Sequence, residues 1–214
     1  LREPLGVTAH IIPWNYPAQM MGRSIGPALA MGNAVVVKPA EDACLSCLRI
    51  AELALEVGFP PGALNIVSGL GEEAGAALAK HPDINFISFT GSPEVGTMVQ
   101  KAGAERTLKV VLELGGKSPQ IVFDDANLER AATFVIKAIT QNAGQTCSAG
   151  SRLMVQRGVH DRFVAMVVEK FRQSAAGTPA MDRDCGPLIN AAQQRRVQGY
   201  VDRAIASGIP LLAQ

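Results

Sequence analysis

Aromatic side chains are scarce, with one Trp, two Tyr and seven Phe among 214 residues. Lys and Arg (20) nearly balance Asp and Glu (19), and no basic stripe interleaves with aromatics. A nucleic-acid partner, which calls for a cationic footprint and stacking platforms, is not expected. Long hydrophobic runs are also missing. The plainly apolar stretches are strand-sized, well short of the roughly 20 residues that span a bilayer, so no membrane partner is expected. Leu1-Arg2-Glu3-Pro4 does not read as a signal peptide. Cysteine is sparse as well. Cys44, Cys47, Cys147 and Cys185 are too few and too scattered for a disulfide framework in a chain of this length. Reduced thiols in a cytoplasmic compartment are the expectation. The Cys44-Leu45-Ser46-Cys47 pair lacks a second Cys or His pair at metal spacing, so no metal site is expected. It lies on a helical apolar pattern in which i and i+3 share a face, and reads as two helix-packing cysteines.

What is present is a regular alternation of strand and helix signals. Pro4–Ile12 reads as a buried strand closed by Pro13, and Pro17–Met31 has helical spacing ending at Gly32-Asn33. Ala34–Val37 is a β-branched strand, and Cys44–Val57 an amphipathic helix stopped by Gly58 and Pro60-Pro61. Leu64–Val67 is a strand, followed by Ser68-Gly69-Leu70-Gly71 and a helix over about Glu72–Lys80. Asn85–Phe89 is a strand leading into Thr90-Gly91-Ser92-Pro93-Glu94, where Ser92 suits the N-cap, Pro93 the first helical position and Glu94 the first turn. Crossovers of this length return each strand parallel, which predicts an open, doubly wound, Rossmann-like α/β sheet. Such sheets bind ligands at the carboxyl ends of their strands. Here those ends are polar or Gly-rich: Trp14-Asn15, Lys38–Glu41, Gly69–Gly71 and Thr90–Ser92.

After Lys109–Leu114, the Gly115-Gly116-Lys117-Ser118-Pro119 break divides the chain. Residues 1–114 form a first domain and 115–214 part of a second α/β domain. The second carries strand Gln120–Phe123, helix Asn127–Asn142 capped near Asp125 or Asn127, and strand Arg152–Gln156. Helices Val159–Ser174 and Asn190–Ser207 follow, and Ile209–Gln214 looks like a strand being entered. No internal repeat or low-complexity tract interrupts this order.

The chemistry is expected at Asn142–Arg152. Cys147 sits there in a run of small and polar residues between a helical pattern and a strand. Backbone N–H groups and a helix N-terminus could stabilise a thiolate at such a junction. Three other motifs fail on context. Gly22-Arg23-Ser24-Ile25-Gly26 matches a nucleophile elbow but lies inside a helical run, and that motif needs a strand before it. Gly116-Lys117-Ser118 resembles the end of a P-loop, yet the required earlier glycine falls on Val111. Gly69-Leu70-Gly71-Glu72-Glu73-Ala74-Gly75 has one residue too many before its last glycine for the dinucleotide fingerprint, though its strand–turn–helix placement is right. His10, His81 and His160 share no local context and read as core, surface or capping residues, which leaves Glu113 as the candidate general base.

Pro13-Trp14-Asn15, Lys38-Pro39-Ala40-Glu41, Phe89-Thr90-Gly91-Ser92, Leu112-Glu113-Leu114-Gly115-Gly116-Lys117-Ser118 and Gly144-Gln145-Thr146-Cys147 stand in this order along the chain. Together they resemble the aldehyde dehydrogenase superfamily, over essentially all 214 residues. The resemblance implies that Cys147 attacks an aldehyde carbonyl to give a thiohemiacetal and then a thioester. It makes Asn15 and the Cys147 backbone N–H the oxyanion donors, and Glu113 the base that activates water. Retention of Glu113 implies a free carboxylic acid product rather than acyl transfer to coenzyme A. Lys38 and Glu41 would bind the adenosine ribose hydroxyls, favouring NAD with NADP possible. Gly91 and Ser92 would meet the pyrophosphate at a helix N-terminus. Gly71 and Gly75 would allow close packing of helix and adenine. Ile12, Trp14, Phe89, Thr90 and Leu114 would complete the cofactor surroundings.

Members of this family are far longer than this chain. Segments before Leu1 and after Gln214 are expected, including a Glu-Glu-x-Phe-Gly-Pro segment and an exchanged strand used in assembly into dimers or tetramers. An internal fragment of an NAD(P)-dependent aldehyde dehydrogenase is the first reading. A truncated nucleotide-binding or assembly module without catalytic activity is the alternative, and preferential alkylation of Cys147 over the other three thiols is the cheap discriminator.

Overall fold

Strand β1 (Val7–Ile11) is the middle strand of a sheet with helices on both faces, which is why its Thr8, Ala9 and His10 are all buried rather than alternating in and out. The structure, a computed structural model, describes residues 1–213. The chain divides into two compact units, Leu1–Gly115 and Gly116–Gln214.

In the first unit β2 (Ala34–Lys38) and β4 (Phe86–Gly91) flank β1, with β3 (Leu64–Ile66) outside β2 and β5 (Lys109–Leu114) outside β4. All four pairings are parallel and the order is β3-β2-β1-β4-β5. Helices α1 (Pro17–Ala30) and α2 (Leu45–Glu56) cover one face around Met20, Met21, Val35, Val37 and Cys47. Helices α3 (Ala76–Lys80) and α4 (Pro93–Ala104) cover the other around Ile87, Phe89, Val99 and Ala102. This is the doubly wound parallel sheet that the strand–helix alternation predicts. Fully burying each such aliphatic or aromatic side chain contributes about 1.5–3 kcal/mol.

Ser92 caps α4 as its sequence suggests, its Oγ accepting from Val95 N at 3.3 Å with Pro93 next in line. The nucleophile-elbow match at Gly22–Gly26 lies within α1, with no strand directly before it in the chain. One helix departs from its pattern. The segment expected to run as one α-helix over Glu72–Lys80 starts as a π-helical turn, Gly71–Gly75, and only then becomes α3. Its wide turn is closed by Gly75 N, which donates to Leu70 O together with Glu73 N and Ala74 N.

In the second unit β6 (Pro119–Val122) and β7 (Arg152–Val155) pair in parallel, linked through α5 (Leu128–Thr140). Helix α6 (His160–Gln173) packs on α5 around Val122, Ala132, Val135, Phe163 and Val167. Asn127 is the α5 cap, accepting from Arg130 N at 3.0 Å. Asn190 caps α7 (Ala191–Ala206) in the same way through Gln193 N. The expected helix to Asn142 stops at Thr140, because Asn142 and Ala143 take left-handed φ values of 51° and 58°. The strand expected from Ile209 does not form over the described residues 209–213. Among the described residues, no helix is long and apolar enough to cross a membrane.

Candidate active site

Parallel pairing within one sheet places every strand's carboxyl end at the same edge. That edge therefore gathers Trp14 and Asn15 after β1, Lys38 at the end of β2 with Glu41 beyond it, Gly69–Gly71 after β3, Gly91 at the end of β4 with Ser92 beyond it, and Glu113 and Leu114 at the end of β5. Lys38 is only 3% exposed, and a buried ammonium needs a partner. Its Nζ donates to Glu41 Oε2 at 3.0 Å, while the Glu41 side chain stays about half exposed. The Glu41 carboxyl is held below the ordinary carboxylate range, chiefly by a hydrogen bond from its own backbone N–H. Burial opposes that effect, and the Lys38 hydrogen bond and charge reinforce it. The arrangement is an aimed pair, with an exposed acceptor on a buried cation, rather than a solvated surface turn.

Other predicted positions divide between edge and core. Ile12 (3% exposed) and Phe89 (6% exposed) are core side chains beneath the edge, and Trp14 is half-buried. Leu114 is partly buried against the α4 side, fitting where a Cβ on Gly96 would come within 2.7 Å of it. Gly91 lies over the Phe89 ring, where an added Cβ would stand 2.5 Å from Cζ. Within the π-turn region the strict glycine requirement falls on Gly69, with φ +147° and an added Cβ 2.9 Å from Ala74 Cβ. Gly71 and Gly75 meet nothing within 4 Å, so the chain itself does not demand glycine at either.

Glu113 pairs in register with Thr90 and projects from the exposed face of the edge strand β5. Its Oε1 accepts from Arg23 Nη2 of α1 at 2.8 Å, with both side chains about half exposed. Both line a cavity of about 350 Å³ on the α1 side of the sheet, together with Thr8, His10, Ser88 and Thr90. This cavity meets the predicted site at Phe89, Thr90 and Glu113 but does not extend to Lys38, Glu41 or Gly71.

His10 sits in a relay that the sequence did not single out. Thr8 Oγ1 donates its only hydrogen to Ala34 O at 3.2 Å, so it accepts from His10 Nε2–H at 3.0 Å. Ser88 Oγ–H then donates to His10 Nδ1 at 2.7 Å. Burial lowers the His10 pKa from 6.5 to about 4, keeping the ring neutral. The available signal was a polar i, i+2 pair, Thr8 and His10, on one face of an otherwise apolar central strand.

In the second unit Cys147 is exposed, whereas Cys47 is buried and Cys44 and Cys185 are partly buried. No helix begins at Cys147. The adjoining helix, α5, ends before the loop, and the chain passes from Cys147 through a turn into β7, so the helix N-terminus expected beside the sulfur is not there. The loop is held by other means. Asn142, Ala143 and Gly144 are left-handed in succession, at φ 51°, 58° and 74°. A non-glycine residue there costs about 1 kcal/mol and persists only where its surroundings impose it. Gln145 Nε2 donates to Asn142 O at 2.9 Å, and Gln145 Oε1 accepts from Ile189 N at 2.9 Å. Gly150 N donates to Ala138 O at 3.0 Å, and Gly150 O accepts from Gln120 Nε2 at 2.8 Å. A Cβ on Gly116 would come within 3.0 Å of Cys147 O. The sulfur thus stands on a strained loop, braced at both ends and open to solvent.

Residues 1–214 match the aldehyde dehydrogenase family. A hydroxyisobutyraldehyde dehydrogenase from Mycolicibacterium austroafricanum is 50% identical over 203 residues, covering 94% of this chain and 40% of that protein. The crystal structure of a Burkholderia cenocepacia protein described as an aldehyde dehydrogenase is 59% identical with a TM-score of 0.98, covering 100% of this chain and 45% of its own. That of betaine aldehyde dehydrogenase from Staphylococcus aureus, in complex with NAD+, is 39% identical with a TM-score of 0.92, covering 96% of this chain and 41% of its own. The chain spans about two fifths of the length of the curated relatives it matches. With the family match running over residues 1–214 and the fold shared with these solved structures, the chain belongs to the aldehyde dehydrogenase family.

Proposed function

We propose that the intact protein oxidises an aldehyde to a carboxylic acid through a thioester on Cys147, with NAD as cofactor. The observation that carries the reading is the Cys147 loop: the most exposed of the four thiols, on backbone held in a strained left-handed run. Strain of this kind clusters at sites where geometry serves function.

The first unit fits a dinucleotide. The half-exposed carboxylate of Glu41, set by buried Lys38, is an acceptor for ribose hydroxyls, and its charge disfavours a 2′-phosphate. Gly91 and the N-terminus of α4, capped by Ser92, are suited to the pyrophosphate. Gly69 supplies the tight turn after β3. When bound, the cofactor accepts the hydride from the aldehyde carbon. The NAD+ in the Staphylococcus aureus relative supports the same assignment here.

The protein's own residues supply the rest. The Cys147 thiolate attacks the carbonyl carbon. The Asn15 side-chain amide and the Cys147 backbone N–H donate to the developing oxyanion. Glu113 takes a proton from the water that hydrolyses the thioester, releasing the acid.

The test is NADH formation at 340 nm by the intact protein with NAD or NADP and a panel of aldehydes. Cys147→Ala is expected to abolish it, and Glu113→Gln to give one burst that stalls at the thioester. Activity that survives Cys147→Ala refutes the nucleophile assignment.

A further inference from the structure

Resting on the reading of Glu113 as the hydrolytic base, we propose that Arg23 is a positioning residue. It latches the Glu113 carboxylate on the α1 side of the sheet, and opening of that latch sets the rate of thioester hydrolysis.

The pair joins residues far apart in sequence, from α1 and β5, through a single Arg23 Nη2 to Glu113 Oε1 contact of 2.8 Å. Among the described residues lining the cavity, Arg23 is the one permanent cation. His10 there is neutral, and Glu3 is the other carboxylate. A guanidinium has donors and no acceptor. A carboxylate oxygen bonded to it therefore has less capacity left to take a proton from water. In the hydrolytic step water gives that proton to Glu113, its oxygen bonds to the thioester carbon, the C–S bond breaks, and Cys147 leaves as thiolate with the electron pair. Glu113 can take part only in so far as Arg23 lets it go.

Two features make the latch releasable. Both side chains are about half exposed, at 52% and 50%, and ion pairs of that kind are weak and screened by salt. In addition, Pro27 inside α1 has no N–H to give the carbonyl of Arg23, so the helix lacks one backbone bond at the residue that carries the guanidinium. A weak latch predicts a small effect, about a two- to fivefold change in rate when it is removed.

The test uses the intact protein and a p-nitrophenyl ester, which acylates the nucleophilic thiol and releases a coloured phenolate. The burst reports acylation and the slow phase reports hydrolysis. Arg23→Gln is expected to quicken the slow phase about two- to fivefold and leave the burst amplitude unchanged, whereas Arg23→Lys retains the parent rate. Added salt should quicken the parent protein and not Arg23→Gln, and the double variant Arg23→Gln/Glu113→Gln should behave as Glu113→Gln alone. A parent slow phase that ignores salt, or an Arg23→Gln slow phase no faster than the parent's, overturns the latch. So does an Arg23→Gln acceleration that persists with Glu113→Gln. The salt arm needs no variant and decides the matter even if Arg23→Gln misfolds. A normal slow phase in Glu113→Gln removes the base reading and the latch with it. A stalled Glu113→Gln beside an inert Arg23→Gln removes the latch alone.

Discussion

Acidification is the perturbation that His10 should report most directly. The ring is 3% exposed, hydrogen-bonded through both nitrogens, and neutral in the fold because burial lowers its pKa from 6.5 to about 4. In the unfolded chain the same group titrates near its ordinary value. Between these two values the unfolded state binds the extra proton and the folded state does not. The contribution of His10 is therefore fully present above the unfolded pKa and is lost as pH falls towards the folded one. The whole difference corresponds to roughly 3 kcal/mol, of which roughly 2 kcal/mol disappears between about pH 7 and about pH 4.5. The assay is urea unfolding across that range for the parent protein and for His10→Gln, whose amide can also accept from Ser88 and donate to Thr8. Carboxylates titrating in the same window affect both proteins alike, so the difference between the curves isolates His10. The expected result is a parent curve steeper by roughly 2 kcal/mol, together with a His10 imidazole NMR titration centred near pH 4. Parallel curves for parent and variant would refute the reasoning.

Other perturbations test the site more locally. Ala143→Gly should be neutral or stabilising by up to about 1 kcal/mol in thermal unfolding, against the usual cost of adding glycine, because φ is already 58°. Gly91→Ala should destabilise by about 1–3 kcal/mol, since its Cβ would stand 2.5 Å from the Phe89 ring, and the loss should also appear as weaker NAD binding by calorimetry. Iodoacetamide followed by peptide mass spectrometry should label exposed Cys147 first and Cys47 last, because Cys47 is buried and burial pushes its thiol pKa up. Lys38→Met should leave Glu41 without its partner and weaken NAD binding at least about tenfold, with NADP affected less.

The alternation of strands and helices was legible because each element carries its own local signal. Ser92-Pro93-Glu94 announces the start of α4 and Asn127 that of α5, and β-branched runs mark the strands. The motifs at the strand ends were legible for the same reason, since parallel crossovers bring every carboxyl end to one edge. Departures arose where a non-local constraint outweighed local preference. Asn142 and Ala143 continue a helical pattern yet turn left-handed, because Gln145, bound to Ile189 N, and Gly150, bound to Ala138 O, hold the loop elsewhere. Nothing in the Gly71–Lys80 stretch marks the π-turn, which depends on three amides, those of Glu73, Ala74 and Gly75, sharing the Leu70 carbonyl.

The sequence by itself determined the fold class, the caps and the five motifs by which the family is recognised, because these rest on periodicity, turn chemistry and residue type within a few positions. Only the tertiary structure decided that β4 lies beside β1, and with it the meeting of His10 with Ser88. It likewise set Arg23 against Glu113 and left Cys147 exposed beyond the C-terminal end of a helix rather than at an N-terminus. Those contacts join residues tens of positions apart, and no local preference specifies which strand, among several of similar composition, becomes a neighbour.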